Sequence, residues 1–179
     1  MRGDLEYVLL TEEQIKAKVQ ELGQQISKDY ADKNLLMVGL LKGSVVFMSD
    51  LMRAVTISAG IDFMSVSSYG KGVKTSGVVK IIKDLDVEIK DYDILIVEDI
   101  LDSGMTLSYI TQMLRARNPR SIRLCTLLDK PERHKVDVHI DYKGFVIPDE
   151  FVVGYGLDYA EKYRNLPYIG VLAPRIYEK

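Results

Sequence analysis

Strand and helix patterns alternate along this 179-residue chain and predict an α/β fold built on a twisted, mostly parallel sheet flanked by helices. Three observations carry that prediction. Apolar runs of strand length recur, among them "LLMVGL" (35–40), "DILIVE" (93–98) and "SIRLCTLL" (121–128). Helical periodicity separates them. No internal repeat or low-complexity linker interrupts the order, and a strand, a crossover helix and a second strand in succession imply parallel neighbours covered on both faces.

Taken in order, Thr11 with Gln14 three residues later has the capping-box pattern, and Ile15, Val19, Leu22 and Ile26 then recur at helical spacing. "LLMVGL" is a strand, and the short turn Leu41, Lys42, Gly43 joins it to a helix over "SVVFMSDLMRAV" (44–55). "IDFMSVSSY" (61–69) and "GVVKII" (77–82) are further strands, followed by 93–98 and 121–128. Between these last two, Asp102 to Arg117 reads as a turn running into a helix that Asn118 and Pro119 terminate.

A 47% hydrophobic content suits one well-cored domain over residues 1–179, with room for a small subdomain. Net charge is -2 with scattered basic residues, which argues against duplex nucleic-acid binding. Cys125 is the single cysteine, so no internal disulfide forms, and a reducing cytoplasmic setting fits. Met1 to Leu10 carries Arg2, Asp4 and Glu6 rather than a signal pattern. No apolar run reaches bilayer length, so no membrane partner is expected.

In parallel sheets ligands bind at the carboxyl ends of the strands. There the run ending at Val97 meets Glu98 and Asp99, then Asp102 and the small hydroxyl-bearing turn Ser103, Gly104, Met105, Thr106. A helix starting at that turn offers unpaired N–H groups and a positive dipole end, and Gly104 lets a phosphate approach the backbone. Carboxylates repel phosphate but accept from sugar hydroxyls and hold Mg2+, so a phosphorylated sugar with a divalent cation satisfies both halves. Taken alone, Asp-x-x-Asp at a helix start also reads as ordinary capping. Other nucleotide patterns fail: Gly72 and Gly77 have P-loop spacing, but Val78 stands where lysine is required. "GKGVKTSG" (70–77) is a polar loop, either a plain hairpin or a lid.

The string "ILIVEDILDSGMT" (94–106) resembles the phosphoribosyl-diphosphate fingerprint of the type I phosphoribosyltransferases. With "LLKGS", "VSSYG", "LLDKPERH" and "IPDEFVVGYGLDYAEKYRNLPYIGVL", the resemblance narrows to the bacterial hypoxanthine-guanine phosphoribosyltransferases and covers almost the whole chain. It implies the type I phosphoribosyltransferase fold, with a hood subdomain built from the C-terminal region and N-terminal residues. It assigns Glu98 and Asp99 to the ribose hydroxyls and Mg2+, and Asp158 to a second Mg2+ site. Asp102 to Thr106 become the 5'-phosphate loop, with Asp102 also the general base near N7 of the purine. Lys42 and Gly43 match the diphosphate turn, where a non-proline cis peptide often precedes the lysine, and Ser68 and Tyr69 match the start of a closing loop. Lys130 reaches O6 of the base, Phe151 stacks on it, the Val152 backbone reads its edge, and Arg164 is a diphosphate-side cation. Ser103 stands where many relatives have Thr, and Met105 where some have Lys; backbone donors leave phosphate binding intact. His134 and His139 match nothing catalytic and read as surface or hood residues.

Physical reasons stand beside these roles. Lys130 only donates, which suits a 6-oxopurine and disfavours adenine; taken singly it is an ordinary loop lysine. Phe151 offers a flat apolar face, although ordinary strand packing explains it equally when the motif is ignored. The resemblance implies Mg2+-dependent transfer of phosphoribosyl from phosphoribosyl diphosphate to hypoxanthine or guanine, giving IMP or GMP and diphosphate, by a homodimer or homotetramer. A xanthine-preferring transferase and a phosphoribosyl-diphosphate-sensing regulator that binds nucleic acid are the alternatives; the latter would show a basic face or an added domain.

Overall fold

The computed structural model describes residues 1–68 and 79–178. β1 (Leu5–Leu10) ends at Thr11, whose hydroxyl accepts from Gln14 N at 3.2 Å while the Gln14 side chain accepts from Thr11 N at 2.8 Å. This reciprocal cap starts α1 (Glu12–Asp29), and Ile15, Val19, Leu22 and Ile26 all turn inward. β2 (Leu35–Leu40), α2 (Val45–Ala54), β3 (Ala59–Ser68), β4 (Val79–Lys83) and β5 (Asp93–Leu101) follow. α3 (Met105–Arg115), β6 (Ser121–Asp129), β7 (Tyr142–Val146), β8 (Val152–Val153), β9 (Ile169–Leu172) and a short α4 (Pro174–Tyr177) complete the chain.

Six strands form the main sheet in the order β4-β3-β2-β5-β6-β7, parallel throughout except for the antiparallel β3–β4 edge. Every residue of β2 is buried because its side chains alternate between two helical layers. Leu35 and Met37 pack with Ile15, Val19 and Phe47 of α1 and α2, whereas Leu36, Val38 and Leu40 pack with Leu107, Ile110 and Leu114 of α3. Each such side chain contributes about 1.5–3 kcal/mol by leaving water. α1 and α2 cross where Gly23 meets Ala54, with no room for a β-carbon on the glycine.

β5 runs three residues beyond the predicted strand. Its pairing with β6 continues through Ile100 opposite Leu128 and Leu101 opposite Asp129, so Asp99 joins Glu98 within the strand rather than following it. Cys125 is buried in β6, as its apolar neighbours predict.

A second, antiparallel sheet has the order β1-β9-β8 and unites the two ends of the chain. Val153 and Leu172 bury a small core there with Tyr163 and Leu166. This sheet holds Phe151 and Val152 over the carboxyl ends of the main sheet's strands, where they share a cleft with Ile100 of β5. Among the described residues no helix is long and apolar enough to cross a membrane.

Candidate active site

β5 carries two adjacent acids out of the core. Asp99 is buried and Glu98 half-buried. The Glu98 carboxylate accepts from Asp99 N at 3.0 Å, and the Asp99 carboxylate accepts from Ile100 N at 2.8 Å. Burial, and then the charge on Asp99, push the Glu98 pKa well above the usual carboxylate range. Burial raises Asp99 as well, against backbone donors and the nearby Arg164, which favour its ionised form. Two desolvated carboxylates side by side are a place where a cation is electrostatically welcome.

The turn after β2 faces them. Its Leu41–Lys42 peptide is cis. Gly43 packs so closely against Asp99 that Oδ2 occupies the space a β-carbon would need. Gly156, held at φ +98°, seats the loop after β8 on the carbonyl of Gly43 in the same manner. The acids, the turn and the loop are thus locked together by two glycine contacts.

α3 begins at Met105, with Gly104 as its N-terminal cap at φ +81°, a conformation that favours glycine. Ser103 Oγ accepts from Met105 N at 3.3 Å, and the Ser103 carbonyl accepts from Lys135 N at 2.9 Å. The first turn of this 11-residue helix leaves N–H groups without partners within the helix, and Thr106 of that turn lines the acidic cleft.

Two clefts meet at this strand end. One, of about 300 Å3, is lined by Gly43, Glu98, Asp99, Thr106, Asp158 and Arg164. The other, of about 350 Å3, is lined by Asp102, Lys130, Arg133, Phe151, Val152 and Tyr177 among others. Leu157 and Asp158 border both, so the clefts adjoin.

A family model for the phosphoribosyl transferase domain matches residues 9–160. The hypoxanthine-guanine phosphoribosyltransferase of Bacillus subtilis is 54% identical over 178 residues, covering 99% of each chain. This chain belongs to the hypoxanthine-guanine phosphoribosyltransferase family. The Mycobacterium tuberculosis relative of the same name is 54% identical over 98% of this chain and 90% of its own. A crystal structure of a hypoxanthine phosphoribosyltransferase from Staphylococcus aureus superposes with a TM-score of 0.97 at 55% identity, over 100% of this chain and 97% of that one.

In this phosphoribosyltransferase Lys130 is buried at the end of β6, its N–H donating to the Leu101 carbonyl at 3.0 Å. No carboxylate among the described residues lies within 4 Å of its ammonium, which borders the second cleft. Phe151 is half-exposed there, stacked on Tyr177 with centroids 4.8 Å apart and met edge-on by Tyr159 at 5.6 Å. Val152 is buried in β8 opposite Val171. Asp158 pairs through Oδ1 with Arg164 Nη2 at 3.1 Å and accepts from Glu161 N through Oδ2 at 2.9 Å. Ser68 closes β3, paired with Val79; Tyr69 and the 70–77 loop lie outside the described residues.

Lys42, Gly43, Glu98, Asp99, Asp102 to Thr106, Lys130, Phe151, Val152, Asp158 and Arg164 therefore all stand in or beside the two adjoining clefts. Sequence reasoning missed Arg133, which donates from Nε to Asp102 Oδ1 at 3.1 Å, and Glu161, which accepts from Lys42 Nζ at 3.0 Å. Arg133 was within "LLDKPERH" and Glu161 within the C-terminal motif, but their partners are distant in sequence. His134 is not a plain surface residue: its Nε2 lies 2.6 Å from the buried Asp129, which also pairs with Lys143 Nζ at 2.7 Å. His139 is exposed, 3.4 Å from Asp141. Among the described residues no three His, Cys, Asp or Glu side chains converge as a metal cage.

Proposed function

We propose that this chain transfers the 5-phosphoribosyl group from phosphoribosyl diphosphate to N9 of hypoxanthine or guanine, giving IMP or GMP and diphosphate in purine salvage. One observation carries the reading: an acidic cleft beside a helix start adjoins a cleft lined by a buried lysine and a half-exposed phenylalanine. A sugar phosphate and a flat 6-oxo heterocycle suit those two halves.

The donor chemistry fits Mg2+, which takes one or two protein carboxylates and completes its shell with water and substrate oxygens. Glu98 and Asp99 supply such a pair, with Asp158 across the cleft as a second anchor. When bound, Mg2+ neutralises charge on the diphosphate. Glu98 and Asp99 also accept from the ribose hydroxyls, while the α3 N–H groups, Ser103 and Thr106 donate to the 5'-phosphate. Lys42 and Arg164 balance the departing diphosphate.

Lys130 donates to O6, Phe151 stacks on the purine, and the Val152 backbone reads its edge. As the diphosphate leaves, positive charge develops at C1 and the ring oxygen of the ribose, and Asp102 takes the N7 proton while N9 attacks. Arg133 holds the Asp102 carboxylate in place at 3.1 Å. The reading extends to one domain over residues 1–179 with the β1-β9-β8 sheet as its hood, to a homodimer or homotetramer, and to a cytoplasmic setting.

The direct test is chromatographic: incubation with phosphoribosyl diphosphate, Mg2+ and hypoxanthine should yield IMP, and absence of IMP with a folded protein would end the proposal. Asp102→Asn should lower kcat by about a hundred- to ten-thousandfold with KM little changed.

A further inference from the structure

We infer that Glu161 is a positioning residue that competes with diphosphate for its two cations, and so weakens diphosphate binding and speeds its release. The inference rests on the assignment of Lys42 and Arg164 to the diphosphate made above.

Glu161 bridges those two cations through separate oxygens. Oε2 accepts from Lys42 Nζ at 3.0 Å and Oε1 from Arg164 Nη2 at 3.2 Å. A single carboxylate thereby spans a lysine from the β2–α2 turn and an arginine from the loop after β8, 119 and 3 residues away in sequence. Both pairs leave Glu161 ionised, since the Lys42 ammonium draws its pKa below the usual range. Lys42 and Glu161 are exposed at 68% and 64%, so the bridge breaks at low cost.

Its placement is built rather than incidental. Glu161 stands at φ +62°, a left-handed conformation that non-glycine residues rarely adopt, and Ala160 before it stands at φ +51°. Asp158 Oδ2 fixes that backbone by accepting from Glu161 N at 2.9 Å. Arg164 is aligned in turn by the Gly156 carbonyl at 2.7 Å and by Asp158 Oδ1 at 3.1 Å. The loop therefore aims a carboxylate at the two positive groups, where it keeps them oriented and mutually close. A diphosphate that engages Lys42 and Arg164 must displace one carboxylate oxygen from each and then lies beside a repelling charge. The same carboxylate is at hand to retake both cations as diphosphate leaves.

Glu161→Gln keeps the shape and removes the charge. Titration of the wild type and the variant with sodium diphosphate in excess Mg2+, followed by calorimetry, should give a Kd roughly three- to tenfold lower for the variant, each exposed pair being equivalent to at most about fivefold. KM for phosphoribosyl diphosphate should fall in parallel, kcat should fall if release limits turnover, and KM for hypoxanthine should hold. In a Lys42→Met background the Glu161→Gln gain should shrink. Glu161→Asp, one methylene shorter, should bind diphosphate with intermediate affinity, which guards against a folding defect in a single variant. Equal or weaker diphosphate binding by folded Glu161→Gln, with wild type that binds and turns over normally, overturns the competition alone. Wild type that neither binds diphosphate nor forms IMP overturns the catalytic reading and this inference with it.

Discussion

Asp99 Oδ2 lies against the α-carbon of Gly43, so the acid at the end of β5 and the turn after β2 share a boundary with no space for a methyl group. Gly43→Ala should therefore push the Asp99 carboxylate or the turn out of register. A misplacement on the order of 1 Å at a reacting centre can cost about a hundredfold. We expect kcat/KM for phosphoribosyl diphosphate to fall by about that factor, with a much smaller change in melting temperature. Steady-state kinetics beside a thermal melt checks both.

Glu98 is held against its own charge. Its pKa is raised on folding, so the folded chain is favoured while Glu98 is protonated and loses that advantage as pH rises through the raised value. Glu98→Gln should then melt higher than wild type at pH 8, and the difference should shrink as pH falls towards the ordinary glutamate range, below which the group is neutral in both folded and unfolded chains. For a chain of this size each kcal/mol corresponds to about 2–4 °C. The variant should also lose the thermal upshift produced by Mg2+ with phosphoribosyl diphosphate. A melting series across pH reads both effects.

Lys130 is buried beside the second cleft without a carboxylate partner among the described residues. A hydrogen bond from a charged donor contributes about 1.5–3 kcal/mol, equivalent to roughly ten- to a hundredfold. Lys130→Met should lower kcat/KM for hypoxanthine and guanine by that factor while leaving diphosphate affinity near the wild-type value. Comparing base and diphosphate titrations on one preparation separates the two halves of the site.

Gly23 is a stability determinant remote from the chemistry. A β-carbon there would meet the Ala54 β-carbon at 2.6 Å and its carbonyl oxygen at 2.7 Å, and backbone does not step aside as a flexible side chain would. Ala normally gains about 1 kcal/mol over Gly in a helix, but overpacking costs about 1–3 kcal/mol. Gly23→Ala should thus be net destabilising, visible as a lower urea midpoint with turnover per folded molecule unchanged.

What the sequence makes legible is what is local. The Thr11–Gln14 cap, the apolar strand to Val97 and the small-residue turn at Gly104 each lie within a few residues, and each forms as read. The hidden features depend on contact between distant segments. β5 extends to Leu101 only because β6 continues beside it, and β8 is two residues long, existing through β9. Arg133 reaches Asp102 across 31 positions and Lys42 reaches Glu161 across 119, which no local pattern announces. His134 reads as a surface or hood residue because nothing nearby in sequence signals that Asp129 is buried next to it.

The central claim is most directly tested by diphosphate release from phosphoribosyl diphosphate and Mg2+, with hypoxanthine, guanine, xanthine, adenine and uracil supplied in turn. The account predicts rapid release with hypoxanthine and guanine, none above background with adenine, because Lys130 can only donate, and none with uracil, which lacks the N7 and N9 of a purine. Release with adenine at a rate matching hypoxanthine, or with no base at all, would contradict it.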